Sequence, residues 1–250
     1  MKEFSLGDKK IAAFFDLDGT LTAGSSLEWK YFLNIRARRM IAAKNYWLWL
    51  AHAMRLAPRG LAQMRHANKM YLRGVATDLR CPIPTFLPQA LQQVAWHARQ
   101  GHLIVIITGS LEPLAKDVAR RIGNELAKRG IKSAIQIVAT QLEECAGTWT
   151  GRIIGPARIG AAKAESLRSL ARELNLDLSR CYAYGNTESD VPMLEAVGKP
   201  ATVNASLDLR DVARRQGWPE ILWKKEGSLD GSAKETQPRN GGAETAEKLA

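Results

Sequence analysis

Two aspartates one residue apart, Asp16 and Asp18, close the apolar run of FFDLDGTLT, residues Phe14 to Thr22. A strand that ends in two carboxylates delivers both to one place, where an ionised pair without a counter-charge repels itself. A divalent cation removes that repulsion by taking hard oxygen ligands, so the spacing predicts a metal site. Taken alone, the same DxD also suits a solvated strand-end turn or a helix cap. Three more groups follow along the chain. IVIITGS sets Thr108, Gly109 and Ser110 before a helix expected to begin near Leu111, where unpaired N–H groups and a hydroxyl can hold an anion such as phosphate. Lys163 stands near the start of helical GAAKAESLRSL, and YAYGNTESDVPML offers Asn186 and Asp190 after another strand.

The elements that must position these residues follow from hydrophobic period. Apolar runs of strand length bounded by turn residues fall at 11–15, 103–107, 135–139, 181–184 and 201–203, and helix-period stretches at 89–100, 111–129, 160–174 and 206–216. Such alternation predicts an α/β fold, a parallel sheet covered on both faces with ligands at the carboxyl ends of its strands. Asp16 belongs at such an end. Ala146-Gly147, between Leu142 and Ile154, suggests a short hairpin.

The window 25–85 interrupts the alternation. It is helical in composition and holds Trp29, Tyr31, Phe32, Tyr46, Trp47, Trp49 and Tyr71. Between Trp29 and Arg80 it carries eleven Lys or Arg against one acid, Asp78, which accounts for nearly all of the chain's net charge of +11. It reads as an inserted helical cap, and the PxP at Pro82 to Pro84 marks the return to the sheet, because proline and its predecessor resist helix. The core is then 1–24 with 86–225, the cap 25–85, and the polar stretch 226–250 a disordered tail.

Composition sets the class. An apolar fraction of 46% is that of an ordinary globular protein, and no apolar run reaches the roughly 20 residues of a membrane-spanning helix. Cys81, Cys145 and Cys181 lack the spacing of a disulfide framework or a zinc site, which points to a reducing cytoplasm. His52, His66, His97 and His102 show no metal-binding pairing and read as packing or surface residues.

The ordered set DLDGTLT, ITGS, Lys163 and GNTESDVPML resembles the four motifs of the haloacid dehalogenase (HAD) superfamily of phosphohydrolases, in its phosphoserine-phosphatase-like branch, subfamily IB. The resemblance runs from about Ile11 to Trp223. It implies a HAD-like, Rossmann-like doubly wound sheet with the cap inserted after the first motif. It also implies roles: Asp16 as nucleophile, Asp18 as general acid and base, and Thr108, Gly109 and Lys163 on the substrate phosphate. A magnesium ion would be held by Asp16, the Asp18 backbone carbonyl, Asn186 and Asp190, the last completing or supporting the shell. Relatives usually carry aspartate where this chain has Asn186, which implies weaker magnesium binding here. The expected activity is hydrolysis of a small phosphate ester such as phosphoserine or an amino-alcohol phosphate.

The cap leaves alternatives. Basic residues interleaved with aromatics, as in RARRMIAAKNYWLWLAHAMRLAPR, suit a segment lying on the inner face of an anionic membrane, and then a lipid or lysophospholipid phosphate as substrate. If the aromatics instead pack the cap against itself and the core, the substrate is small and soluble. A third reading, a basic nucleic-acid-binding protein, fits the pI of 9.8 but lacks any RNP, KH, helix-turn-helix or zinc signature.

Overall fold

The computed structural model describes residues 9–60, 64, 66–78 and 82–224, with only the backbone at Arg59. Seven strands form one sheet: β1 (Ala12–Phe15), β2 (Leu103–Leu111), β3 (Ile135–Cys145), β4 (Thr148–Ile154), β5 (Tyr182–Gly185), β6 (Lys199–Val203) and β7 (Glu220–Ile221). Their order is β4-β3-β2-β1-β5-β6-β7, parallel except for the β3–β4 hairpin. The helices among the described residues are α1 (Leu27–Ala37), α2 (Ala43–Leu56), α3 (Pro88–Arg99), α4 (Glu112–Lys128), α5 (Ala161–Leu174), α6 (Val191–Leu194) and α7 (Leu207–Gln216).

The period-2 side-chain alternation of β1 and β2 divides the core into two layers. Ala13, Phe15, Ile104 and Ile106 face one side, against α1, α3 and α4. Ala12, Phe14, Val105 and Ile107 face the other, against α5, α6 and α7. Both layers are buried and apolar, so the central strand is apolar at every position and its first carboxylate can stand only past its end. β1 has three strands on either side, and the chain leaves it toward β2 while β5 flanks its other edge. That is a switch point, where an open α/β sheet forms its ligand crevice.

The expected elements are present, with β7 and α6 in addition; β3 runs on to Cys145 rather than ending at 139, and the second motif shifts as well. β2 runs on through Leu111 rather than ending at 107, with an irregular register between Ile107 and Leu111, and α4 begins at Glu112 with Pro113 in its first turn. The hairpin turns at Ala146 and Gly147, both with positive φ. Residues 226–250 lie outside the described residues, as does Cys81; Cys145 and Cys181 are free thiols. Among the described residues no helix is long and apolar enough to cross a membrane.

Among the described residues between β1 and α3 are α1, α2 and the single 3-10 turns Ala57–Arg59 and Met70–Leu72. Leu27, Tyr31, Ile35, Tyr71, Leu72 and Val75 join the same apolar layer as β2 and α4. Backbone hydrogen bonds attach the segment to the hairpin: Gly74 N–H to Trp149 O at 2.8 Å, Trp149 N–H to Val75 O at 2.9 Å and Thr77 N–H to Gly147 O at 3.0 Å. Within the segment the buried Lys69 ammonium pairs with Glu28, which also accepts from Tyr71 Oη at 3.1 Å.

His97 of α3 is fully buried beneath the sheet's first layer, its ring nitrogens 2.9 Å from His102 Nδ1 and 3.0 Å from Tyr184 Oη. Burial first, and then the neighbouring His102, push its pKa down to about 3. The folded value lies below the usual 6.5, so as pH falls the unfolded chain takes up the proton first. Stability is complete above that value and is lost toward 3, by about 1.4 kcal/mol per pH unit. Because Asp16 titrates in the opposite sense over the same range, the test is a difference: the stability of the wild type relative to His97→Gln in urea should fall as pH drops from 7 to 5, and a constant difference would refute the assignment.

Candidate active site

Asp16 follows the last residue of β1, its N–H bonded to Tyr184 O of β5 at 2.9 Å, and is 6% exposed. The chain then turns tightly. Leu17 O accepts from Leu21 N and Thr22 N, both at 3.0 Å, and Gly19 N donates to Thr22 O at 2.8 Å. The turn aims Asp18 back toward the sheet edge. Gly19 has φ +88°, and a Cβ there would lie 2.0 Å from Asn186 Nδ2, so only glycine allows the fourth motif to close against the first.

Lys163, in the first turn of α5 and 2% exposed, reaches the same point from the other side of the sheet. Its ammonium donates to Asp16 Oδ1 and to Asp190 Oδ1, each at 2.5 Å. Asp190 is fully buried, and its second oxygen is occupied as well: Oδ2 accepts from Asn186 N and Thr187 N at 3.0 Å and from Thr187 Oγ1 at 3.2 Å. Thr187 and Asp190 form a capping box, a T-x-x-D pattern visible in NTESD, which fixes the loop that carries Asn186.

Asp18 has its own partners. Oδ1 accepts from Leu27 N, the first residue of α1, at 2.8 Å, and Oδ2 from Ser110 Oγ at 2.5 Å. Ser110 N in turn donates to Thr108 Oγ1 at 3.0 Å. Thr108 is buried, and the carbonyl of Gly109 accepts from Thr140 Oγ1 at 2.9 Å. A Cβ on Gly109 would meet Ile159 Cγ2 at 2.7 Å and His66 Nδ1 at 3.3 Å, so the inserted segment reaches over the second motif.

Asp16, Asp18, Thr108, Gly109, Lys163, Asn186 and Asp190 therefore converge from four separated stretches. Sequence reading did not give Ser110 its bond to Asp18, nor did it bring Leu27 N or His66 to the site. The capping box was the one such feature with a local signature.

Electrostatics follow from burial. Desolvation pushes Asp16 up to about 7, with Lys163 pulling the other way and Asp190 adding to the rise. Asp18 is raised by burial too, against the hydrogen bonds from Ser110 and Leu27 N–H. For Lys163 burial acts downward, but Asp16 and Asp190 outweigh it and hold the ammonium above its ordinary range. Two carboxylates, Asp16 and Asp190, thus share one ammonium, and Asp18 nearby has only neutral donors, so the cluster is short of positive charge. Its spare donors are hard oxygens, including the Asn186 amide, whose Oδ1 lies 3.5 Å from Thr20 Oγ1. Among the described residues no three His, Cys, Asp or Glu side chains form a metal cluster; the donor set fits a hard cation that takes a carboxylate, a neutral amide and backbone or water oxygens.

The model of the haloacid dehalogenase-like hydrolases matches residues 13–195. The chain belongs to that family. Among relatives of this HAD chain, it is 29% identical to the Mycobacterium tuberculosis protein named phosphoserine phosphatase SerB1, over 84% of this chain and 70% of that one. It is 32% identical to the inhibition of morphological differentiation protein of Streptomyces azureus, over 84% and 77%. A solved structure, a Bordetella pertussis Tohama I protein of unknown function, aligns with a TM-score of 0.63 at 26% identity, over 86% of this chain and 99% of that one. The α/β sheet expected from the sequence is the fold of this HAD hydrolase.

Lys163→Met should leave two buried carboxylates facing each other. Removing one partner of a buried pair costs about 3–5 kcal/mol. Urea unfolding of the variant at neutral pH measures this; unchanged stability would mean that the ammonium does not compensate Asp16 and Asp190.

Proposed function

We propose that the chain is a magnesium-dependent phosphomonoester hydrolase acting through an aspartyl-phosphate. The observation that carries the reading is the division of labour at the end of β1: Asp16 is held by an ammonium, while Asp18 is held by a hydroxyl and a backbone N–H. A carboxylate beside a cation suits a nucleophile, and a partly buried carboxyl with only neutral hydrogen-bond partners suits a proton donor.

In this reading Asp16 attacks phosphorus in line, a P–O bond forms at its carboxylate, and the ester P–O bond to the leaving group breaks. Asp18 gives its proton to the departing alkoxide. The Asp18 carboxylate then takes a proton from water, which attacks the same phosphorus and frees phosphate and Asp16. Lys163 orients Asp16 and offsets phosphoryl charge, with the Thr108 hydroxyl and the backbone at Gly109 binding phosphoryl oxygens. Magnesium, held by Asp16, the Asp18 carbonyl and Asn186, would supply charge neutralisation for the transferring phosphoryl group. Asp190, with both oxygens engaged, serves best as support for Lys163 and the Asn186 loop rather than as a direct ligand.

Residues 25–85 act as a cap over a core of 1–24 and 86–225. The substrate class is a small phosphorylated metabolite such as phosphoserine or an amino-alcohol phosphate, supported by the name of the SerB1 relative.

Phosphate release with magnesium from a panel of phosphoserine, other amino-alcohol and sugar phosphates and lysophospholipid phosphates tests this. Turnover should favour the soluble esters and fall about a thousandfold or more in Asp16→Asn. Full turnover in that variant would overturn the mechanism, and a preference for the lipid phosphates would overturn the substrate class. Asn186→Asp adds a charged ligand and should tighten magnesium binding on the order of tenfold by calorimetry; unchanged affinity would remove Asn186 from the metal shell.

A further inference from the structure

Helix α2, AKNYWLWLAHAMRL, turns an unusual side to solvent. Its inward side is Asn45, Ala53 and Leu56, with Leu48 and His52 half-buried. Trp47, Leu50 and Met54 lie outward, three and four residues apart and so on one stripe, with Tyr46 four before Leu50 beside it. Trp47 is 75% exposed and Met54 65%. On α1, Trp29 and Leu33 are exposed one turn apart. Single exposed apolar residues are ordinary, but a large aromatic and aliphatic stripe on one helix marks an interaction surface.

Charge indicates what the stripe meets. Lys44 and Arg55, near the two ends of α2, are exposed, as are Arg36, Arg38 and Arg39 at the end of α1. The sequence has no Asp or Glu from Trp29 to Thr77. A second copy of the chain would bring the same cations against themselves, which disfavours a self-complementary contact. Nucleic acid would satisfy the cations but gives Leu50 and Met54 no apolar surface. An anionic bilayer satisfies both, with headgroups for the cations and acyl chains for Trp47, Leu50 and Met54. The helix spans about 21 Å from its 14 residues, short of the roughly 30 Å of a hydrocarbon core, so it would lie in the interface.

We propose that the outward face of α2, with its flanking lysine and arginines, docks the protein on the surface of an anionic phospholipid bilayer. This is independent of the phosphatase reading, because it concerns binding and not turnover. The test is co-sedimentation of the full chain with vesicles of equal parts phosphatidylglycerol and phosphatidylcholine, against vesicles of phosphatidylcholine alone. Binding to the anionic vesicles should fall about tenfold in Trp47→Ser/Leu50→Ser/Met54→Ser and also in Lys44→Glu/Arg55→Glu, with circular dichroism unchanged because all five residues are exposed. Failure to bind the anionic vesicles above the neutral ones at low salt would overturn the proposal, as would equal binding by the variants. A concentration-dependent dimer in sedimentation equilibrium that the triple variant abolishes would assign the face to a second copy instead, and overturn it too.

Discussion

One ammonium, that of Lys163, lies between two carboxylates that the fold would otherwise hold against each other. Asp16 comes from the end of β1 and Asp190 from the loop after β5, and both are buried. Buried charges are stable only when paired and hydrogen-bonded, so the positions of these three side chains constrain everything near them. The capping box completes Asp190, the first turn of α5 aims Lys163, and the glycine at position 19 lets the two halves of the site approach. Change of any one of them exposes a charge to a low-dielectric interior rather than merely loosening a contact.

That constraint separates the two aspartates of DLDGT by role. Asp16 is fixed by the core of the sheet, through apolar layers above and below β1 and a backbone bond to β5. Asp18 belongs to the rim, where its partners are Ser110 from the second motif and the first N–H of α1. The helical segment therefore starts on the second carboxylate itself, and any motion of that segment is coupled to a proton-transferring group. The segment is also bonded to the hairpin through Gly74, Val75 and Thr77, so it is anchored at both ends of its path across the sheet.

Much of this was legible in the sequence because it is local. Period-2 and period-3.6 patterns gave most of the strands and helices to within a few residues, though not the far half of β3 or β7, and the DxD, the lysine and the NTESD loop each stood at a strand or helix end where a ligand crevice requires them. The extension of β2 through Leu111 was not legible, since its irregular register depends on pairing with β3. Nor was the bond from Ser110 to Asp18, which joins residues 92 apart and has no local signal. The outward stripe of α2 was legible only as one of two alternatives, a membrane-facing segment or aromatics packed inward. Tryptophan, leucine and methionine ordinarily pack inward, and only the position of the neighbouring elements decides which face of an aromatic helix is covered.

The most direct measurement is identification of the residue phosphorylated during turnover. Acid quenching in the steady state followed by borohydride reduction converts an aspartyl-phosphate to homoserine, which peptide mass spectrometry can place. The account requires homoserine at position 16, the carboxylate that Lys163 holds. Reduction at Asp18 instead would invert the roles of the two carboxylates and contradict the reading of the site.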